Sequence, residues 1–188
     1  MPSLHVCSLS RLHETVTATG ASHIVTRTQQ MFTNQSLQKR PLDLNEPIRN
    51  ILEIAEAQVR WCDVALEMML DESLPLVLAD AVQIQQVLLN LIMNGLDAME
   101  GVAGSSRLLH ISSRRRGRDA VVSVRDSGAG FAPKDARRLF EPFFTTKAGG
   151  TGMGLTISQS IIRKHGGSLW AVANADRGAT FRFKIPVQ

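Results

Sequence analysis

Apolar and polar residues follow two different periods along this chain, and the switches between them divide it into elements. Val64, Leu66, Met68 and Leu70 fall on alternate positions, which predicts a strand. Leu42-Asp43-Leu44 and Leu76-Val77-Leu78 read as two shorter strands. An amphipathic helical pattern runs from Asn45 to about Arg60, with Asn45 as its N-cap and Pro47 in its first turn. Asp80 is placed to cap a longer helix that reaches about Met99. Pro133–Leu139 reads as a short helix, and Gly154–His165 as another closed by Gly166-Gly167.

The remaining strands come in pairs. Leu108–Ser113 and Ala120–Arg125 flank an arginine-rich turn, and Ser168–Val172 and Thr180–Ile185 flank the turn Asn174–Gly178. Neighbouring antiparallel pairs with helices between some of them predict an α+β fold: a two-layer sandwich with a mainly antiparallel sheet and helices on one face. Before this unit, residues 1–14 lack periodicity. An imperfect helical stripe with Val16, Ile24 and Met31 runs from Thr15 to about Leu37. Arg40-Pro41 ends it, because the residue before proline avoids the α region. The division is therefore a loose N-terminus and helix remnant over 1–41, then one domain over 42–188.

Charge and composition narrow the function. Hydrophobic content of 44% suits one core, and no apolar run approaches membrane-spanning length. The first residues have neither the basic flank nor the apolar stretch of a signal peptide. Cys7 and Cys62 form no metal spacing and no disulfide framework, so a cytoplasmic location is expected. Much of the net charge of +4 sits in Arg114-Arg115-Arg116-Gly117-Arg118. Without interleaved aromatics this patch reads as a solvated turn rather than a nucleic-acid surface.

Four motifs carry the chemistry, in one order and compactly spaced. They are Gln86-Val87-Leu88-Leu89-Asn90-Leu91-Ile92-Met93-Asn94, Asp126-Ser127-Gly128-Ala129-Gly130, Phe140-Glu141-Pro142-Phe143-Phe144-Thr145-Thr146-Lys147 and Gly150-Thr151-Gly152-Met153-Gly154-Leu155. Asn90 and Asn94 are four apart on a helix and share a face. Their amide oxygens are hard, neutral donors of the kind Mg²⁺ accepts alongside water and phosphates. A carboxylate at a strand end, as at Asp126, can accept from the exocyclic amine of adenine, and Gly128 and Gly130 let the backbone approach the base. The second glycine cluster, Gly150, Gly152 and Gly154, opens a helix, where backbone N–H groups form an anion site. Thr151 can add a hydroxyl and Lys147 a charge to that site. No P-loop pattern is present.

Together the four motifs resemble the N, first glycine, F and second glycine boxes of the sensor histidine kinase catalytic domain, within the GHKL ATPase superfamily. The match extends over about residues 42–187 and is nearest in form to the nitrogen-fixation and dicarboxylate-sensing kinases. The resemblance implies a Bergerat-type ATP site. In it Asn94 holds Mg²⁺, Asn90 lies near the phosphates, and Asp126 reads adenine. Gly128, Gly130, Lys147, Gly150, Thr151, Gly152, Met153, Gly154 and Leu155 then surround the nucleotide. Gly178-Ala179-Thr180 matches the terminal glycine box, and Thr180 is either a phosphate contact or simply a strand residue. The segment from Phe131 to Gly152 is the expected lid, with Phe140, Phe143 and Phe144 anchoring it to the core. The role of Gln86, on the same helical face as Asn90, stays open.

The implied activity is transfer of the γ-phosphoryl of Mg·ATP to a histidine. Asn90, Asn94 and Lys147 are its expected catalytic residues. Hydrolytic relatives carry a glutamate four residues before the metal-binding Asn; an amide stands here, and an amide is no general base near neutral pH. The rival readings are an ATPase that drives conformational change and a non-catalytic ATP-sensing module. His13-Glu14 mimics the start of the family's acceptor box, but no proline follows. The stretch to Leu37 is also too short for a complete helical hairpin. His5, His23, His110 and His165 are no better placed: His110 sits in a strand and His165 ends a helix, where a cation is favoured, and both read as structural. The acceptor histidine is therefore expected on dimerisation helices of a separate segment or chain. A response-regulator receiver domain and a second copy of the chain complete the expected partners, and nucleic acid is not among them.

Overall fold

The computed structural model describes residues 37–188, apart from 101, 103–106, 146, 148 and 149. The helical stripe expected from Thr15 falls outside the described residues except for Leu37, as do Cys7, His5, His13 and His23. Five strands form the main sheet: β2 (Ala65–Met69), β4 (Leu108–Arg116), β5 (Asp119–Asp126), β6 (Ser168–Ala173) and β7 (Ala179–Pro186), in the order β2-β4-β5-β7-β6. The pairings β4–β5, β5–β7 and β6–β7 are antiparallel, as expected, while β2 joins β4 in parallel. A separate pair joins β1 (Arg40–Leu42) to β3 (Val77–Ala79). Among the described residues three α-helices accompany the strands: α1 (Asn45–Trp61), α2 (Ala81–Ala98) and α3 (Gly154–Lys164).

The sheet buries alternate residues against the helices. Leu109 and Ile111 of β4, Val122 and Val124 of β5, and Phe181, Phe183 and Ile185 of β7 enter one core with Ile48 and Leu52 of α1, Ile84, Leu88, Leu91 and Ile92 of α2, and Ile162 of α3. At about 1.5–3 kcal/mol per fully buried side chain, this layer is the main source of stability. It leaves the opposite edge of α2, the one carrying Asn90 and Asn94, free for chemistry.

The start of the domain differs from expectation by two residues. The first strand is Arg40–Leu42, not Leu42–Leu44, because Leu44 is fully buried as the N-cap of α1. Asn45 is the first helical residue rather than the cap, and Asp43 Oδ1 accepts its N–H at 2.9 Å. The Asn45 side chain is 1% exposed. Its Nδ2 donates to Asp71 O at 2.9 Å and its Oδ1 accepts from Ser113 Oγ at 2.7 Å. A residue that reads as a cap thus joins α1 to β4, a role local sequence cannot show.

Two further elements depart from the sequence pattern. The arginines expected in a turn belong to β4 as far as Arg116, and the turn itself is Gly117-Arg118, with Gly117 at φ 61°. Pro133–Leu139 is not one helix but two 3₁₀ turns, Pro133–Asp135 and Arg138–Phe140. So short a segment cannot offset the cost of nucleating an α-helix, and tighter i→i+3 bonds take over.

α3 ends at His165, which is 4% exposed. Its Nδ1 lies 2.8 Å from Ile161 O, and its Nε2 accepts the Asp80 N–H at 3.0 Å. That pairing requires a neutral ring protonated on Nδ1, so His165 is a structural histidine rather than the cation a helix end favours. Burial holds the imidazole pKa below its ordinary 6.5, with Lys39 adding to the effect; the bond to Ile161 and the Asp80 charge oppose it. The unfolded chain therefore binds the proton first. His165 contributes stability above about pH 6.5 that is lost as pH falls toward the folded-state pKa. Urea unfolding from pH 7.5 to 5 should show a steeper decline for the wild type than for His165→Leu, by up to about 1.4 kcal/mol per pH unit. Parallel curves would show that the ring does not carry this dependence.

Candidate functional site

A cavity of about 430 Å³ opens where α2, the end of β5, the start of α3 and the 131–152 segment meet. Its size suits a small-molecule ligand. Asn90, Asn94, Asp126, Gly130, Lys147, Gly150, Thr151, Gly152, Gly154 and Leu155 line it, so residues far apart in sequence converge. Gly128, Met153 and Thr180 are not in its lining, and neither is Gln86. A flatter depression of about 580 Å³ beside Arg49, Met68 and Asp71 shares none of the motif residues.

The close approach of α2 and α3 positions the first of these groups. Asn90 Nδ2 donates to the buried Ser158 Oγ at 3.0 Å, fixing the amide between the helices. A Cβ on Gly154 would run into Asn90 Oδ1, so any larger residue there must displace the Asn90 amide from Ser158. α1 and α2 have carboxylates at their starts, Asp43 and Asp80. α3 has no side-chain cap, and its first turn opens beside the cavity. Its leading N–H groups are the unsatisfied donors that an anion can take.

At the far end, Asp126 is 2% exposed. Its Oδ1 accepts N–H groups from Gly128 at 2.9 Å and Ala179 at 3.2 Å, leaving Oδ2 available to a ligand. Burial raises the carboxyl pKa; the backbone N–H groups and the Lys147 charge pull it back. A buried acid in a cleft, held by two amides yet still costly to ionise, is characteristic of a ligand-reading group. Gly128 stands so close to the C-terminal turn of α2 that a Cβ would strike the Ala98 carbonyl. Its smallness serves that packing. Thr180 is 4% exposed and donates its hydroxyl to Asn174 Oδ1 at 2.6 Å, which supports the strand reading. Asn174 in turn donates to Asp126 O at 3.1 Å, so the terminal glycine turn braces the acid.

Between these ends, Lys147 Nζ donates to Asn94 Oδ1 at 3.0 Å and to Asp97 Oδ2 at 2.7 Å. Asp97 was not among the residues singled out by sequence, although it lies three after Asn94 and so faces the same way. The lid phenylalanines divide. Phe140 packs on the core, and its carbonyl accepts from Thr156 Oγ1 at 3.1 Å. Phe144 lines the cavity with the Arg138 guanidinium 4.6 Å from its ring centroid. Phe143 is 73% exposed at φ 65°, and its N–H bonds Gly152 O at 3.2 Å. The expectation that all three anchor the lid therefore holds for Phe140 alone. Phe131, Leu139 and Phe181, further apolar walls that sequence reasoning missed, are strand or lid residues whose pattern signals only burial.

Known proteins resemble the chain across this region. Residues 79–188 match the family described as histidine kinase-, DNA gyrase B- and HSP90-like ATPases. The chain belongs to that family. It is 42% identical over 88% of its length to the sensor protein FixL of Bradyrhizobium diazoefficiens, and 36% identical over 89% to the sensor protein TdiS of Thauera aromatica. It spans 33% and 31% of those proteins, about a third of each. Among solved structures, a nucleotide-free catalytic domain of histidine kinase ThkA matches with a TM-score of 0.70 and 33% identity, covering 81% of this chain and 98% of that one. ThkA in complex with the response regulator TrrA matches with a TM-score of 0.76 and 27% identity, covering 98% of this chain and 53% of that one. The domain is thus an ATP-binding catalytic module of the sensor histidine kinase type, with the α+β sandwich of that family. Among the described residues no helix is long and apolar enough to cross a membrane.

The Asn90–Gly154 contact gives a direct test. Gly154→Ala should force α2 and α3 apart, costing about 1–3 kcal/mol in urea unfolding and weakening ATP binding. An unchanged midpoint and affinity would mean that Asn90 swings aside freely.

Proposed function

We propose that this cavity binds Mg·ATP with adenine at Asp126 and the phosphates between Asn94, Lys147 and the start of α3, and presents the γ-phosphoryl to a histidine on a separate segment or chain. The observation that carries this reading is the convergence of a buried carboxylate, paired helix amides, an uncapped helix start and a lid lysine around one cavity. Adenine offers Asp126 an amine donor; guanine offers a carbonyl at the same edge and repels it.

The donor set fits a magnesium ion. Asn94 Oδ1 and Asp97 Oδ2 are hard oxygens that already share a positive charge, the Lys147 ammonium. A bound Mg²⁺ supplies neutralisation of the phosphate charge there. The residues of this chain do the rest by positioning. The α3 N–H groups and Thr151 orient the phosphates, Leu155, Phe144 and Phe181 exclude water, and Asn90 holds α2 against α3. In the transfer, the bond from phosphorus to the ADP oxygen breaks as one to the acceptor imidazole nitrogen forms. Asn90 stands as an amide bonded to Ser158, so it offers no base to activate water, and transfer is favoured over hydrolysis. The similarity to ThkA, solved with TrrA, supports a response-regulator receiver domain as the next acceptor. The helices bearing the first acceptor bring two copies together, on the cytoplasmic side where ATP is available.

Calorimetric titration with ATP and GTP, with and without Mg²⁺, tests the pose. Wild type should prefer ATP. Asp126→Asn keeps an oxygen for Gly128 and Ala179 but loses the charged acceptor. It should therefore bind ATP about tenfold or more weakly and narrow the preference. Equal affinity for both nucleotides in both proteins would overturn the assignment.

A further inference from the structure

Lys147 belongs to the loop over the cavity, yet its ammonium rests on α2. Asn94 and Asp97 are neighbours on one helical face, and their oxygens meet at a single point occupied by Nζ at 3.0 and 2.7 Å. The pair is half-exposed, Lys147 at 39% and Asp97 at 25%. An ion pair so exposed contributes little to stability by itself. Its position has more consequence than its strength. Asp97, Asp126 and Asp135 all line the cavity, while Lys147 is the cationic side chain in the same lining. A polyphosphate entering beside an uncompensated Asp97 meets like charge.

We infer that Lys147 is the stand-in for the divalent cation. In the nucleotide-free protein its ammonium holds the oxygens of Asn94 and Asp97, and Asp97 is the charged member of the cation site. The inference rests on the Mg·ATP reading above and deepens it. Arrival of the cation with its nucleotide displaces the ammonium from Asp97 and frees Lys147 for the phosphates. Thr145 Oγ1 accepts the Lys147 N–H at 3.1 Å, so the backbone at Lys147 is tied to Thr145 of the cavity lining. One carboxylate thus serves two cations in turn, and the exchange couples metal binding to lid position.

The test uses Mn²⁺ alone, followed by its paramagnetic resonance, with no nucleotide. A failure here therefore stands apart from a failure of ATP binding. Lys147→Met should bind Mn²⁺ about tenfold or more tightly than wild type, since the competing ammonium is gone. Adding Asp97→Asn to that variant should return affinity to the wild-type level or below. Equal Mn²⁺ binding by wild type and Lys147→Met would overturn the stand-in role. Undiminished binding by the double variant would overturn the role of Asp97. Amide hydrogen exchange gives a second readout in the nucleotide-free protein: Asp97→Asn should speed exchange at Thr145 and Lys147 severalfold. Unchanged exchange, with intact circular dichroism, would show that the ion pair does not hold the loop.

Discussion

The contact between Asn90 and Gly154 is the constraint on which the site depends. α2 is a core helix whose buried face is fixed by Ile84, Leu88, Leu91 and Ile92. Its other face can hold chemistry only if α3 comes close enough to complete the cavity. Glycine at 154 leaves room for the Asn90 amide, and the bond from that amide to Ser158 secures the approach. The free N–H groups of α3, Asn94 and the lid lysine are all positioned from that junction.

The opposite wall obeys a different rule. Asp126 could not remain a buried carboxylate on Coulomb attraction alone, with Lys147 some way along the cavity. Two backbone amides hold one oxygen, and the terminal glycine turn presses against the strand end through Asn174. The outcome is a rigid acceptor at one end and an adjustable cation at the other. Such a division suits a ligand whose base must be identified and whose phosphate tail must be released.

Much of this was legible in the sequence, because the fold's periods and the site's motifs are both local. Asp80 as a cap, the extents of α1, α2 and α3, and the antiparallel hairpins follow from spacing and turn chemistry. The convergence of Asn90, Asn94, Asp126 and the Gly150–Gly154 loop was implied by motif order. What escaped were tertiary assignments. Asn45 looked like a cap because its bond to Ser113 joins positions far apart in the chain. His165 read as structural, but its partner, the Asp80 N–H, is invisible locally. Asp97 was in plain view by helical spacing, but a lone aspartate after two asparagines gains meaning only when the lysine is seen upon it.

One helix in this domain is left incomplete. α2 is capped by Asp80 and α1 sets Asp43 against its first N–H, whereas α3 has no side-chain cap at the cavity and ends locked to the N-terminus of α2 through His165. An anion at its mouth would finish the hydrogen-bonded rod that the polypeptide itself leaves open. A phosphate bound there would belong to the secondary structure as much as to the chemistry, and its loss would change how firmly that rod begins.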